Sequence, residues 1–505
     1  MSEFKPTDEQ AEAIDRAKWG ETFVIDAVAG SGKTRTARAM CEEIDGRVLY
    51  LVYNSAAAKD AKEVFPSNVK VSTTSALAWG KYPEYRDRMV PGAARVRARD
   101  TAEIAGMTKP VKLGRLDLSP VTVASMALET IRKFCYSAER KIIHKHVPAL
   151  AVGLNALQED LLRDIVVKWA ETIWKQARDV NSKHMFTFDY AFKMMVLSPP
   201  DYGYDTVIID EAQDSNHATL HLMRAQLGSN QIVIGDPAQQ LYEWRGASNI
   251  MSEFEGERIP LSKSFRFGTR IAEEAEKWLE HTKTGIHIEG NPAMDSRVVT
   301  TRLDETDAIL CRNNATVMAR AIEELDHGKK VAIVGGVSAL RNLAFAARDL
   351  MNGKRTTYPE LSVFADWGEL MAFTEEPAGK DLKPMVQLVN QYKVNGILDA
   401  CSLIVDETSE EANFNHRAFD PPDIVISTSH RAKGREWANV EVADDYTEPD
   451  DVEDPWGGAT EPGPIPASDA MLHYVTVTRA RENLNRGGLA WIDRHQVVDR
   501  MAKTS

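Results

Sequence analysis

Two short segments carry residue types whose order and spacing suit phosphate chemistry. The first is AVAGSGKT, residues 27–34, set between the apolar run TFVID and the helix-like TRTARAMCEEI. Gly30 and Gly32 let backbone N–H groups turn toward phosphate oxygens, and the start of the following helix adds positive potential. Lys33 can reach the β and γ phosphates, and the Thr34 hydroxyl can ligate Mg²⁺. Ala27 stands where the generic phosphate loop begins with glycine. Ala29, Ser31 and Arg35 complete the nucleotide-facing positions. The second segment is DTVIIDEAQD, 205–214. Asp210, at the end of an apolar run, is suited to hold Mg²⁺ through water, and Glu211 to polarise an attacking water. Taken alone, DEAQD also reads as an acidic turn after a core strand. A phosphate loop upstream makes the functional reading the better one.

Such residues need rigid elements to position them. Short apolar runs recur along the chain: TFVIDA, RVLYLVY, VKVST, DTVIID and QIVIGD in the first half, KKVAIVGG, DIVISTS and NVEVAD in the second. Val and Ile dominate them, as in strands buried on both faces of a parallel sheet. Helical patterns such as SAAAKDAKEVF and TRIAEEAEKWLEH lie between them. The alternation predicts an α/β fold with two parallel-sheet lobes. Residues 81–184 lack convincing strands and read as a mainly helical insertion. Residues 337–422 are mixed and read as a second, small insertion. The expected division is therefore 1–80 and 185–257 for the first lobe, and 258–336 and 423–505 for the second.

Bulk properties bound the function classes. A length of 505 residues is too great for one compact core. No run of about 18 apolar residues is present, so no membrane-spanning helix is expected. The start, MSEFKPTDEQ, lacks an apolar signal core, which points to an intracellular, cytoplasmic protein. The four cysteines, Cys41, Cys135, Cys311 and Cys401, are scattered without metal spacing and read as reduced, buried thiols. A net charge of −14 argues against coating nucleic acid through overall charge, though not against a local groove. Basic residues gather in 81–146, readable as a nucleic-acid-facing surface or as a solvated helical face. No Lys or Arg occurs between Arg435 and Arg479, where DDYTEPDDVEDPWGGATEPGPIP reads as an exposed acidic loop.

At DEAQD a resemblance becomes specific: the chain resembles superfamily 1 helicases of the UvrD/Rep group, with the motifs in the family's order along the chain. The stretch 184–214 is also similar to the motor of the F-box DNA helicases. The resemblance implies two RecA-like lobes, ATP and Mg²⁺ as cofactors, and a role for each matching residue. TDEQ places Gln10 where the family reads adenine. LVYNSAAAKDA and VSTTSALAW are similar to DNA-contacting motifs and put Tyr53, Asn54 and Thr73 toward DNA; Ser75 stands where the family usually has histidine. In IGDPAQQLYEWRGA, Gln239 matches a γ-phosphate-sensing glutamine, and Tyr242 and Trp244 match aromatics that stack on bases. Stacking suits a sequence-blind motor because every base offers a π face. SFRFGTRIAEEA puts Phe265 on adenine and Arg266 at the γ-phosphate. ISTSHRAKGREW puts His430 toward DNA, and Gly434 and Glu436 toward nucleotide, with Arg435 and Trp437 replacing the usual Leu and Phe. LHYVTVTRAREN supplies Arg479 as a second arginine finger.

The implied activity is an ATP-dependent DNA helicase moving 3′ to 5′ on single-stranded DNA, acting at single-strand/duplex junctions, with replication or recombination proteins as partners. The same motor serves a translocase that strips bound proteins or recombination filaments with little unwinding. No motif residue visibly tests for a 2′-hydroxyl, so residue types leave RNA open. A non-motor P-loop protein has no use for Tyr242, Trp244 and Arg479 together, and the residues after Arg481 are too few for a nuclease domain.

Overall fold

The computed structural model describes residues 5–52, 54–90, 96–114, 116–148, 154–241, 250–356, 358, 361–376, 379, 382–452 and 460–495. The chain divides into two units, one of Met1–Ala27 and Gly32–Leu261, the other of Val28–Ser31 and Ser262–Ser505.

The first unit is built on a six-stranded parallel sheet. Its strands are β1 (Phe23–Ala27), β2 (Val48–Leu51), β3 (Val69–Ser72), β4 (Thr206–Ile209), β5 (Asn230–Gly235) and β6 (Glu257–Leu261), in the order β6-β1-β5-β4-β2-β3. Period-2 alternation splits their side chains between two cores. Phe23, Ile25, Tyr50, Ile208 and Ile232 face one side, with Ala13 and Ala17 of helix α1 (Asp8–Lys18) and Ala37, Met40 and Cys41 of helix α2 (Lys33–Glu43). Val24, Leu49, Val207, Ile209 and Val233 face the other, with Leu220, Met223 and Phe254. Strands buried on both faces need near-continuous apolar sequence, which explains the Val/Ile runs.

The lobe boundary differs from expectation. Residues 257–261 (ERIPL) form β6, paired with β1 from Phe23↔Glu257 to Ala27↔Leu261, so the first unit runs to Leu261 and not 257. Glu257, Arg258 and Pro260 interrupt the apolar pattern. An edge strand tolerates them because one side of its backbone needs no ladder partner.

Among the described residues, 81–184 is mainly helical; Met89–Val90 pairs with Phe186–Thr187 beyond it, and Val111–Leu113 pairs with Leu116–Leu118 within it. Helices Pro120–Cys135, Ala156–Ala177 and Phe188–Leu197 share a core of Ile131, Phe134, Ile173, Trp174, Tyr190 and Met195. Lys193 is fully buried there; its ammonium donates to the carbonyls of Ser137 and Glu139 at 2.7 Å each and lies 4.0 Å from the Phe134 ring centre.

The second unit carries another six-stranded parallel sheet: β7 (Arg297–Val299), β8 (Ala308–Cys311), β9 (Val331–Ile333), β10 (Ile424–Thr428), β11 (Trp437–Val442) and β12 (Ala480–Asn485), ordered β7-β12-β11-β8-β10-β9. Among the described residues of 337–422 the elements are helices, with one bridge at Val405; Ser338–Met351 and Lys383–Leu403 supply Leu343, Leu350, Val389 and Ile397 to one core with Ile309, Ile333 and Ile426 of the sheet. This insertion is thus integral to the second lobe's core. The acidic stretch after β11 is anchored at its base. The Asp445 carboxylate accepts the backbone N–H groups of Arg312 and Asn313, and Glu448 and Asp451 pair with Arg494. All four cysteines are buried and free. Among the described residues no helix is long and apolar enough to cross a membrane.

Candidate nucleotide site

The phosphate loop joins β1 to α2, two elements of the first unit. Gly30 (φ +75°) and Gly32 (φ +78°) both lie in the left-handed region, where glycine carries no Cβ penalty. Gly32 is the N-cap of α2 and offers no side chain there, so the first N–H groups of the helix have no side-chain cap from it. Ala29 and Ser31 are buried, while Thr34 and Arg35 are exposed at the first turn of α2.

Lys33 opens α2, and its ammonium lies 3.4 Å from Glu211 Oε1. Burial alone would lower its pKa, but Glu211, Asp236 and Asp210 outweigh that and hold it above the ordinary lysine value. Asp210 directly follows β4, and its N–H continues the ladder by donating to Leu51 O at 2.9 Å. Its Oδ1 accepts the Glu211 N–H at 2.9 Å, and its Oδ2 accepts the Tyr50 hydroxyl at 2.6 Å. Burial, with the neighbouring Glu211 charge, pushes the Asp210 carboxyl up. Burial likewise drives the Tyr50 phenol well above its usual range.

Glu211 has φ +51°, a left-handed conformation that costs a non-glycine residue ~1–3 kcal/mol. Its carboxylate is held by Gln213, whose Nε2 donates to Glu211 Oε2 at 2.5 Å. The other end of Gln213, Oε1, accepts the N–H of Asp236 at 3.0 Å. Asp236 in turn accepts Gln239 Nε2 at 2.5 Å. Gly235 makes this route possible, since a Cβ there would come within 2.4 Å of Gln213 Oε1. One continuous set of hydrogen bonds thus runs from the acid pair to Gln239. Tyr50, Gln213 and Asp236 were not assigned from sequence. The last two lie inside quoted motif strings, and a polar residue flanked by a buried strand end was their available signal.

Gln10 is buried at N3 of the helix Asp8–Lys18, with its carboxamide oxygen accepting the Thr7 N–H in a capping box. Asn54 and Thr73 are helix N-caps, accepting from Ala57 N and Ala76 N at 2.9 and 3.1 Å. Thr73 also lines a groove of about 350 Å³ with Ser55, Ala58, Lys59, Lys62, Glu63 and Ala76, a mainly apolar surface edged by two cations and a carboxylate. Exposed Ser75 borders a second cavity, also about 350 Å³, whose wall includes Asp210, Asn216 and Arg132. Tyr53, Tyr242 and Trp244 lie outside the described residues.

In the second unit, Arg266 donates through Nε to Glu436 Oε2 at 2.6 Å and through a terminal nitrogen to Thr478 O at 3.1 Å. Arg479 is 1% exposed and donates to Val475 O, Arg435 O and the Thr478 hydroxyl. Arg266, Glu436 and Arg479 therefore gather around Thr478. Gly434, at φ +83°, turns the chain just before Glu436. Phe265 is 42% exposed, with the Lys263 ammonium 5.8 Å from its ring centre. His430 is half-buried; burial, together with Arg312, holds its imidazole below the usual histidine range.

Mg²⁺ takes oxygen ligands, and a carboxylate such as Asp210 and a hydroxyl such as Thr34 are donors of that chemistry. Fold and site together give two α/β units on six-stranded parallel sheets, the first with a strand–glycine loop–helix unit of the phosphate-loop form. Residues 191–257 match the UvrD/REP helicase N-terminal domain, in keeping with the motif series. F-box DNA helicase 1 of Gallus gallus is 27% identical over 524 residues, covering 96% of this chain and 49% of that protein. F-box DNA helicase protein 1 of Schizosaccharomyces pombe is 26% identical, covering 92% and 55%. The ATP-dependent DNA helicase PcrA of Leuconostoc citreum is 25% identical over 312 residues, covering 55% and 39%. The chain spans about half the length of the F-box relatives.

Proposed function

We propose that this chain is an ATP-dependent DNA helicase that translocates 3′ to 5′ on single-stranded DNA and opens duplex at a junction. The observation that carries the reading is the half-buried contact of Lys33 with Glu211, within the field of Asp210, at the point where a strand and glycine loop lead into a helix. An ammonium held among carboxylates is poised to exchange one of them for a phosphate oxygen. Once Lys33 turns to phosphate, Glu211 can accept a proton from the attacking water, with Gln213 fixing its orientation. Bound Mg²⁺ would neutralise charge on the phosphate oxygens, held by Asp210 and Thr34.

Arg266 and Arg479 are the proposed fingers for the transition-state charge, supplied by the second lobe. If they act only when the lobes close, hydrolysis and closure become one event. Gln10 and Phe265 are assigned to the adenine, and Gly434 and Glu436 to the nucleotide. Asn54, Thr73 and His430 are assigned to DNA, with Tyr53, Tyr242 and Trp244 added from the motif series. The interior of the cell is the proposed compartment, with replication or recombination proteins as partners.

ATP hydrolysis measured with single-stranded DNA, single-stranded RNA and no nucleic acid tests the motor. Unwinding of 3′- and 5′-tailed duplexes then tests direction. Stimulation by DNA with unwinding of the 3′-tailed substrate is expected. Efficient removal of a bound protein block with little unwinding would replace the helicase by the filament-stripping translocase, and absence of any stimulation would reject both.

A further inference from the structure

The Asp210 carboxylate is held by a group that none of the motifs includes. Tyr50 is the third residue of β2, fully buried, with its ring 4.4 Å from that of Phe65. Packing alone would be met by phenylalanine at such a position. A buried phenol hydroxyl needs a partner, and this one donates to Asp210 Oδ2 at 2.6 Å.

The contact is built into the sheet. β2 and β4 are adjacent and parallel, with Tyr50 opposite Ile208 and Leu51 opposite Ile209. That register places Asp210 one residue past the paired segment, beyond the end of β2, and the Leu51 carbonyl fixes its backbone. Tyr50 lies on the face that carries α2, the helix bearing Lys33 and Thr34. The phenol therefore approaches Asp210 from the core side. With Oδ1 engaged by the Glu211 N–H and Oδ2 by Tyr50, the carboxylate plane cannot rotate freely. Each oxygen keeps lone-pair capacity for a further ligand.

We propose that Tyr50 is a positioning residue for the divalent cation, orienting the Asp210 carboxylate through the Tyr50 hydroxyl. The inference rests on the reading of Asp210 as the metal-holding acid. A partner that orients a ligating carboxylate typically alters metal affinity by ~10–100-fold when removed.

The test is Tyr50→Phe, which deletes the hydroxyl and keeps the ring, compared with Asp210→Asn and the unaltered protein. Mn²⁺ affinity is read by electron paramagnetic resonance with ADP bound, ADP affinity in EDTA by fluorescence of a labelled analogue, and folding by melting temperature. The expected result is a loss of Mn²⁺ affinity of ~10-fold or more in Tyr50→Phe, smaller than in Asp210→Asn, with metal-free ADP affinity retained. If Asp210→Asn weakens Mn²⁺ and Tyr50→Phe does not, the positioning role is overturned and the metal site stands. If Asp210→Asn leaves Mn²⁺ affinity unchanged, the metal assignment itself fails and the role of Tyr50 fails with it. A fall in melting temperature with unaltered Mn²⁺ affinity would make Tyr50 a core residue only.

Discussion

Arg266 and Glu436 form an ion pair, Nε to Oε2 at 2.6 Å, that joins two segments 170 residues apart in the chain. A second bond from Arg266 to the carbonyl of Thr478 ties it to the residue beside Arg479. The arginine proposed to reach the γ-phosphate is thus held by the carboxylate proposed to face the nucleotide. Glu436 occupies Nε only, so a phosphate bound there would share the guanidinium with it.

Arg266→Ala and Arg479→Ala are each expected to slow hydrolysis by on the order of 10³-fold if they act as fingers. Nucleotide binding should fall far less. The check is turnover at saturating ATP and single-stranded DNA; near-normal turnover in either variant removes that arginine from the finger role.

Lys33 and Glu211 touch in the structure but should fail differently. Lys33→Ala is expected to abolish hydrolysis while single-stranded DNA binding stays within a few-fold. Glu211→Gln keeps the side-chain shape and removes the base, so ATP should remain bound and unhydrolysed. Retained nucleotide after filtration, analysed for ATP against ADP, separates the two. Rapid hydrolysis by either variant would sink the site.

Trp244 lies two residues after Tyr242 in LYEW, immediately following GDPAQQ. If it stacks on a base, Trp244→Ala should remove ~1–3 kcal/mol of DNA binding, roughly 5- to 150-fold in affinity. The ratio of DNA-stimulated to basal hydrolysis should drop with it. A core tryptophan would instead cost ~3–5 kcal/mol of stability. Melting temperature and both rates, measured on one preparation, decide between these outcomes.

His473 is buried against Trp278 and Tyr446, with ring centres 4.6 and 5.4 Å away. Burial, aided by Arg312, holds its imidazole down at about 3. A histidine depressed on folding binds its proton mainly in the unfolded chain. Its stability contribution is therefore complete above the ordinary value near 6.5 and is lost as pH falls toward 3. The slope it adds is at most ~1.4 kcal/mol per pH unit. Urea midpoints at pH 7.5 and pH 5 should differ less for His473→Gln than for the unaltered protein; an equal difference would show that His473 does not titrate in this window.

Much of this protein is legible in its sequence because the relevant signals are local. A strand buried on both faces needs consecutive apolar residues, so the Val/Ile runs mark the parallel strands. A loop that turns its N–H groups toward phosphate needs left-handed backbone, so Gly30 and Gly32 mark themselves, and Lys33, Asp210 and Glu211 follow from their places beside those elements. Residues 257–261 escape this logic, because an edge strand can carry Pro260 and two charges. Asn54 and Thr73 have the side chains both of DNA contacts and of helix caps, and only the fold shows that they cap helices. The bond from Tyr50 to Asp210 spans 160 residues, and the route from Gln213 through Asp236 to Gln239 depends on which strands are neighbours. No local pattern encodes such contacts. Strand order and register decide which polar side chain meets which carboxylate, and those are properties of the assembled sheet.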